Sequence, residues 1–125
     1  MADEETHLYG CVKVKPGSDH EMAGIAEKPA PGTAPSNWVQ IGHFVFTPEI
    51  FDVLDTLEPG KGGELWLADA VTRLAARATV IAQPIEGQWM AAGDPLRQLK
   101  ACIAASLRRP DMRDELIAYL RSLEL

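Results

Sequence analysis

The residues of this chain best suited to chemistry are a carboxylate and an ammonium that stand side by side, Glu27 and Lys28. They close a strand-like run, and Pro29 after them forces the backbone to leave the strand. Neighbouring strand residues point to opposite faces, so they can meet one ligand only where the strand ends. A carboxylate accepts hydrogen bonds from hydroxyls and an ammonium neutralises phosphate oxygens, so the pair suits a phosphorylated sugar. The alternative interpretation is an ordinary charge pair at the end of a strand.

Other familiar catalytic patterns are absent from the sequence, which has no Walker or dinucleotide glycine loop, no G-x-S-x-G and no H-E-x-x-H. His7, His20 and His43 have no partners at metal-ligand spacing, so we predict two surface histidines and one strand residue. Cys11 and Cys102 form no C-x-x-C pair, and we predict that both are reduced, small, buried apolar residues. The sequence therefore indicates no catalytic residue and no metal ligand.

The composition narrows the class of protein. The chain has 125 residues, 46% of them hydrophobic, and its 12 Lys plus Arg against 18 Asp plus Glu give a net charge of −6. That length predicts a single domain, residues 1–125, with a polar segment at 1–7. The negative charge argues against nucleic acid as a partner, because phosphate backbones bind clustered Lys and Arg. No apolar run reaches the roughly 18 residues of a membrane span, and the first residues are acidic, so we expect no membrane contact and a cytoplasmic location.

Hydrophobic periodicity predicts a mixed sheet accompanied by helices, hence an α/β or α+β-like fold. The first two strands should form a hairpin, and the third, apolar on both faces, should be central. We expect Asp94 to cap the third helix, although a role as a metal ligand is the alternative. The predicted elements are, in order, strands at 9–15 and 22–27, a loop at 28–37, a strand at 38–46, helices at 47–57 and 65–75, a strand at 79–85, a short strand at 89–92, and helices at 94–107 and 112–123.

Several motifs follow one another in the order found in a known family. They are EKP at 27–29, APSN at 34–37, the strand containing Gly42, TPEIFD at 47–52, PGKGGE and LWLADA over 59–70, and RRP at 108–110. Together they resemble the C-terminal half of bacterial UTP-glucose-1-phosphate uridylyltransferases, and the likeness extends over residues 8–125. The resemblance implies the sugar-binding half of a Rossmann-like nucleotidyltransferase fold.

The resemblance also implies site residues. In that family UTP and glucose 1-phosphate give UDP-glucose and pyrophosphate with the help of Mg²⁺. Glu27 matches the acceptor of sugar hydroxyls, Lys28 the ligand of the sugar phosphate, and Gly42 the place where the backbone approaches the sugar. These three residues are the substrate-binding residues that we predict.

Three positions depart from the family pattern. Ala91 stands where the family has the aspartate that binds magnesium, so we expect no metal site in this chain. Trp66 and Ala68 stand where the family commonly has Gln and Thr, and the 125 residues contain no counterpart of the nucleotide-binding half. The chain by itself is therefore expected to need no cofactor, although the resembled family uses Mg²⁺.

The hypothesis favoured by these observations is a truncated, non-catalytic relative that acts through oligomerisation, a protein partner or weak binding of a sugar phosphate or UDP-glucose. Trp38, Trp66 and Trp89 are candidates for the partner surface, with burial in the core as the equally weighted alternative. The alternative function is that of the C-terminal part of a split or excised enzyme, which makes UDP-glucose when the nucleotide-binding half is supplied in trans.

Overall fold

The computed structural model of the chain describes Met1 and residues 3–123, excluding the side chain of Lys61. The chain divides into two compact units, Met1–Pro84 and Ile85–Leu125. The elements are strands β1 (Gly10–Val14) and β2 (Met22–Glu27), helices α1 (Glu49–Leu54), α2 (Leu67–Ala75), α3 (Pro95–Ser106) and α4 (Pro110–Ser122), and 3-10 turns at Asp3–Leu8 and Lys61–Gly63. The fold is α/β with a small antiparallel sheet. That residues 1–125 act as a single domain stays a prediction.

The first unit is built on the predicted hairpin. Strands β1 and β2 are antiparallel, with Gly10 opposite Glu27 and Val12 opposite Ile25. The bounds of β2 are those expected from the sequence: the strand begins at the buried Met22 and ends at Glu27, the first of the charged pair before the proline. The hairpin therefore carries Glu27 to the end of a strand.

The segment 38–46 is not the central strand predicted from its apolar run. It pairs with β1 only briefly: Val12 N–H donates to the Trp38 carbonyl and Gln40 N–H to the Gly10 carbonyl, both at 2.8 Å. This part of the chain therefore extends one edge of the hairpin over three residues and then leaves it.

The prediction of a central strand was wrong because the apolar side chains of 38–46 do not all face the core. Gly42 has a φ of +81°, which turns the backbone away from β1. Phe44 and Phe46 then pack on the core, whereas Val45 between them is fully exposed, at 101%. A run of apolar letters thus corresponds to an irregular segment with only one face against the protein.

The predicted strand at 79–85 is likewise reduced to a bridge. Met22 N–H donates to the Val80 carbonyl and Ala82 N–H to the His20 carbonyl, both at 2.8 Å, so the segment lies along the free edge of β2. Pro84 has no N–H with which to continue the ladder. The segment therefore lies at an edge of the hairpin, but it does not form the predicted strand. The short strand predicted at 89–92 is also absent, since those described residues have no regular structure.

Helices α1 and α2 close the core of the first unit. Helix α1 ends at Leu54, earlier than predicted. Leu57 follows in a turn, and the Leu57 N–H donates to the Leu54 carbonyl at 3.1 Å. Thr47, the first residue of the predicted helix, makes no capping bond; the Thr47 side chain hydrogen-bonds to Glu49 and so lowers the pKa of that carboxyl. Buried apolar side chains form two clusters: Val12, Met22, Ile25, Ala68 and Val71 lie between the hairpin and α2, and Ile50, Val53, Ala70 and Leu74 lie between α1 and α2.

Helices α3 and α4 of the second unit begin with local signals. The Asp94 carboxylate accepts the Arg97 N–H at 2.9 Å, which confirms the predicted cap, and Pro95 is the first helical residue. Pro110 starts α4, two residues before the predicted start at Met112. In the part of the chain that is described, no residue of either helix is buried.

The burial of the cysteines and the positions of the histidines differ in part from the prediction. Cys11 is buried, and its thiol hydrogen-bonds to the Thr6 carbonyl at 3.3 Å, but Cys102 is exposed, so its predicted burial was wrong. Both cysteines are free thiols. His43 is exposed outside any strand, whereas His20 is exposed as expected. No helix among residues 3–123 is long and apolar enough to span a membrane.

Candidate functional site

The three residues predicted to bind substrate line one cavity of about 480 Å³ in the first unit. Glu27 and Lys28 come from the end of β2, and Gly42 comes from the segment that leaves β1. The third wall is the stretch 64–68, which leads into α2. Folding therefore brings together residues that are as much as 41 positions apart along the chain, as 27 and 68 are.

The end of β2 is shaped so that the two charged neighbours share the cavity. Lys28 has a φ of +42°, a left-handed backbone that ends the strand, and its N–H donates to the Tyr9 carbonyl at 3.1 Å. Gly10, opposite Glu27, leaves the space for the carboxylate, because a Cβ there would lie 2.6 Å from Glu27 Oε2. Glu27 is half-buried and Lys28 is exposed, so both charges can be reached from solvent.

Gly42 presents bare backbone at the opposite wall. Its N–H donates to the Gln40 side-chain carbonyl at 2.8 Å, and no heavy atom lies within 4 Å of the place a Cβ would occupy. A ligand could therefore approach the chain closely there. Gln40 itself lines the cavity and was missed at the level of sequence.

The wall at 64–68 supplies two further residues that the sequence reasoning did not assign to the site, Glu64 and Trp66. A tight loop presents them: Gly60 N–H donates to the Glu64 carbonyl at 2.9 Å, and Gly62 and Gly63 both have positive φ. The Lys28 ammonium lies over the Trp66 ring, 5.8 Å from its centroid. The glycine-rich loop directly before a helix is a local signal for a turn, but it does not show that the turn meets the end of β2.

The electrostatics of the cavity are mixed rather than cationic. Two carboxylates, Glu27 and Glu64, face one ammonium, Lys28, among its described lining residues. Burial, followed by the nearby charge of Glu27, raises the pKa of the Cys11 thiol above its usual value. This balance fits a ligand with several hydroxyls and a single phosphate better than a chain of phosphates.

The region predicted to have lost the magnesium ligand does not fit a divalent cation. Ala91 has no side-chain oxygen, and the Asp94 carboxylate is engaged by Arg97: Oδ1 accepts the Arg97 N–H, and Oδ2 lies 3.4 Å from the Arg97 guanidinium. No group of three His, Cys, Asp or Glu side chains that could hold a metal ion occurs within residues 3–123. We therefore assign no reaction step to a metal.

A family profile described as nucleotidyl transferase matches residues 1–104. The chain belongs to the nucleotidyl transferase family. It is 38% identical over its whole length to a UTP-glucose-1-phosphate uridylyltransferase of Staphylococcus epidermidis, and 39% identical over 98% of its length to that of Staphylococcus haemolyticus. It spans 44% and 43% of those relatives, less than half of each. The resemblance drawn from the motifs is thus confirmed at the level of the family and of these relatives.

Solved structures agree with the sequence relatives. A UDP-glucose pyrophosphorylase complexed with UDP-glucose superimposes with a TM-score of 0.78 at 32% identity, over 87% of this chain and 42% of that one. A UTP-bound UGPase from Acinetobacter baumannii superimposes with a TM-score of 0.82 at 30% identity, over 99% of this chain and 43% of that one. The fold described above is therefore shared with part of these nucleotidyltransferases.

Proposed function

We propose that this chain binds the glucosyl phosphate portion of glucose 1-phosphate or UDP-glucose in the cavity at Glu27, Lys28 and Gly42. The observation that carries the proposal is the convergence of a carboxylate and an ammonium from one strand end on a cavity whose opposite wall is bare backbone. On this proposal the chain corresponds to the C-terminal, sugar-binding half of its uridylyltransferase relatives.

Each residue has a separate role in the proposal. Glu27, which is half-buried, accepts hydrogen bonds from sugar hydroxyls, and Lys28 neutralises the phosphate. Gly42 lets the sugar ring approach the backbone without meeting a side chain. With Lys28 as the one ammonium among the described lining residues, we expect a dissociation constant of about 1 mM, which corresponds to roughly 4 kcal/mol.

A titration followed by amide NMR tests this binding. Glucose 1-phosphate should shift the amide signals of Glu27, Lys28 and Gly42, and Lys28→Met should weaken binding about tenfold or more, because it removes the one ammonium among the described residues that line the cavity. Lys13→Met is the matched control, since Lys13 is an exposed lysine of β1 that does not line the cavity. Titrations with glucose and with inorganic phosphate separate the two halves of the ligand. The proposal is refuted if millimolar glucose 1-phosphate and UDP-glucose leave these signals unmoved.

We further propose that these 125 residues alone do not catalyse uridylyl transfer. Ala91 stands in place of the expected magnesium aspartate, and the Asp94 carboxylate is occupied by its helix cap. Release of pyrophosphate from UTP and glucose 1-phosphate is the measurement, and we expect none above the background of the Lys28→Ala variant. Turnover in the usual enzymatic range of about 1 to 10³ per second that Lys28→Ala abolishes would show the opposite.

A second candidate function is activity in trans. Sequence matches cover 98% to 100% of this chain but only 43% to 44% of its relatives, so a relative has further chain with which such a half could assemble. Mixing this chain with the remaining portion of one of the Staphylococcus enzymes should then restore UDP-glucose synthesis. Synthesis that is no greater than with the relative's portion alone excludes this candidate.

We also propose that this chain associates with a second copy of itself or with a protein partner. Of the three tryptophans suggested for such a surface, each is half-buried: Trp38 packs on the core, Trp66 lines the cavity, and Trp89 lies in the second unit. We expect light scattering to give a mass above that of a 13.6 kDa monomer. A monomer at every concentration would rule out self-association.

A further inference from the structure

We propose that Trp66 is a positioning residue for Lys28: its indole face holds the ammonium at the cavity, ready for the phosphate of a sugar phosphate. This inference rests on the proposed function for its ligand, but the contact itself can be tested without any ligand. Trp66 is the residue at which the chain departs from the glutamine that the resemblance leads one to expect.

The geometry brings the two side chains together from two fixed points of the backbone. Lys28 follows the last residue of β2 with a constrained, left-handed φ of +42°. Trp66 directly precedes α2, and its carbonyl accepts the N–H groups of Asp69 at 3.0 Å and Ala70 at 3.3 Å. With both Cα positions held, the ammonium lies 5.8 Å from the centroid of the ring, within the distance at which a cation is attracted to an aromatic face.

Hydrogen bonding by the indole N–H does not explain why a tryptophan occupies position 66. Trp66 Nε1–H is buried and finds no acceptor among the described residues, which is an unfavourable arrangement for a buried donor. A phenylalanine or leucine would fill apolar space without that cost. The ring face, which meets Lys28, is therefore the part of Trp66 that offers an advantage.

The contact matters because Lys28 is otherwise an exposed, flexible side chain. Within residues 1 and 3–123, no carboxylate forms an ion pair with its ammonium, although Glu27 and Glu64 line the same cavity. The ring restricts the side chain without neutralising its charge. Less conformational entropy is then lost when a phosphate binds, and the full positive charge remains available to it.

The test compares Trp66→Phe, which keeps an aromatic face and removes the unpartnered donor, with Trp66→Leu, which keeps apolar bulk and removes the face. The first readout is the NMR chemical shift of the Lys28 ε-methylene protons in the ligand-free chain. We expect an upfield ring-current shift in the native chain, largely kept by Trp66→Phe and lost in Trp66→Leu. Amide spectra establish that each variant is folded, and a native shift that Trp66→Leu leaves unchanged overturns the proposal.

The second readout is affinity for glucose 1-phosphate in a double-mutant cycle with Lys28→Met. Trp66→Leu should weaken binding roughly two- to fivefold in the native background, the effect expected for a cation at an exposed aromatic face. It should cause no further loss once Lys28 is methionine. An equal loss in both backgrounds would show that Trp66 acts on the ligand or on the fold, and would overturn the positioning role.

The two readouts distinguish failure of this inference from failure of the proposed function. Absence of glucose 1-phosphate binding to the native chain refutes the proposed site but leaves the Lys28 shift to decide the contact. Binding that is insensitive to Trp66→Leu, together with an unchanged Lys28 shift, refutes the positioning role and leaves the proposed site standing.

Discussion

The helices of the two units differ in length and in whether they contribute buried side chains to a core. In the first unit, α1 and α2 have only 6 and 9 residues, yet both contribute buried side chains to the core. In the second unit, α3 and α4 have 12 and 13 residues, and within the described part of the chain neither has a buried residue. The shorter helices are therefore the ones supported by tertiary packing.

This contrast separates the energetic origins of the two kinds of helix. Short helices are not stable alone, so α2 depends on burial against the hairpin and α1 on burial against α2. Helices α3 and α4 instead carry the signals that act within a few residues: the Asp94 cap, a proline at the first position of each, and the pair Arg109–Asp111. Substitutions in the first unit should accordingly act on packing, and those in the second on local helix formation.

The strongest test replaces one leucine in each unit. Leu74 on α2 is 6% exposed, whereas Leu99 on α3 is 58% exposed. We expect Leu74→Ala to lower the free energy of unfolding by about 2 to 5 kcal/mol, because it leaves a cavity in the core. Leu99→Ala should change it by less than about 0.5 kcal/mol, as is usual at the surface. Urea unfolding measures both, and equal losses would show that α3 is covered in solution.

The next test concerns the attachment of α2 to the sheet. The Ile25 N–H donates to Thr72 Oγ1 at 2.9 Å, and the same hydroxyl donates to the Ala68 carbonyl at 2.8 Å. Thr72→Val keeps the shape but removes the acceptor, so a loss of about 1 to 3 kcal/mol is expected from the unpaired N–H. Thr72→Ser keeps the hydroxyl and should retain most of the stability. A fully stable Thr72→Val variant would show that this hydrogen bond does not support the unit.

Sequence predicted the elements whose ends are determined locally. The end of β2 follows from the charged pair and the proline that stop an apolar run, and the start of α3 follows from an acid followed by proline. The segment 38–46 was wrong because its pairing depends on where Gly42 turns the chain, a tertiary property. Leu65, the first residue of the helix predicted at 65–75, lies before α2 and is 62% exposed.

The residues of the candidate site likewise fall into two groups, those that the local sequence predicts and those that depend on the tertiary fold. Glu27 and Lys28 could be placed together because they are neighbours at a strand end, which needs no knowledge of the fold. Glu64, Trp66 and Gln40 could not, because they reach the cavity only when two loops, distant along the chain, approach the end of β2. The contact between Lys28 and Trp66 joins residues 38 positions apart, and no local pattern encodes it.

In the second unit, the largest expected effect comes from the helix cap. Because α3 has no buried contacts to support it in the described residues, loss of the bond between Asp94 and the Arg97 N–H should appear directly as lost helicity. Asp94→Ala should cost about 0.5 to 2 kcal/mol, and Asp94→Asn, which keeps an acceptor, clearly less. Circular dichroism and amide exchange at Arg97 measure the change. Unaltered exchange in Asp94→Ala would mean that packing rather than the cap stabilises this helix.

The smallest effect we expect is electrostatic and lies at the start of α4. Arg109 donates to Asp111 through Nε at 3.1 Å and Nη2 at 2.5 Å, and this pairing lowers the pKa of Asp111 below its usual 3.8. A carboxyl whose pKa is lower in the folded state stabilises that state above its unfolded pKa and ceases to do so as the pH falls through the folded pKa. The contribution should therefore be present at neutral pH and be lost below about pH 3.8. Both side chains are more than 60% exposed, so salt should weaken the pairing. Titration of the Asp111 carboxyl carbon by NMR, with Arg109→Gln as the comparison, measures it, and an identical pKa in the two proteins would show that the ion pair is not formed in solution.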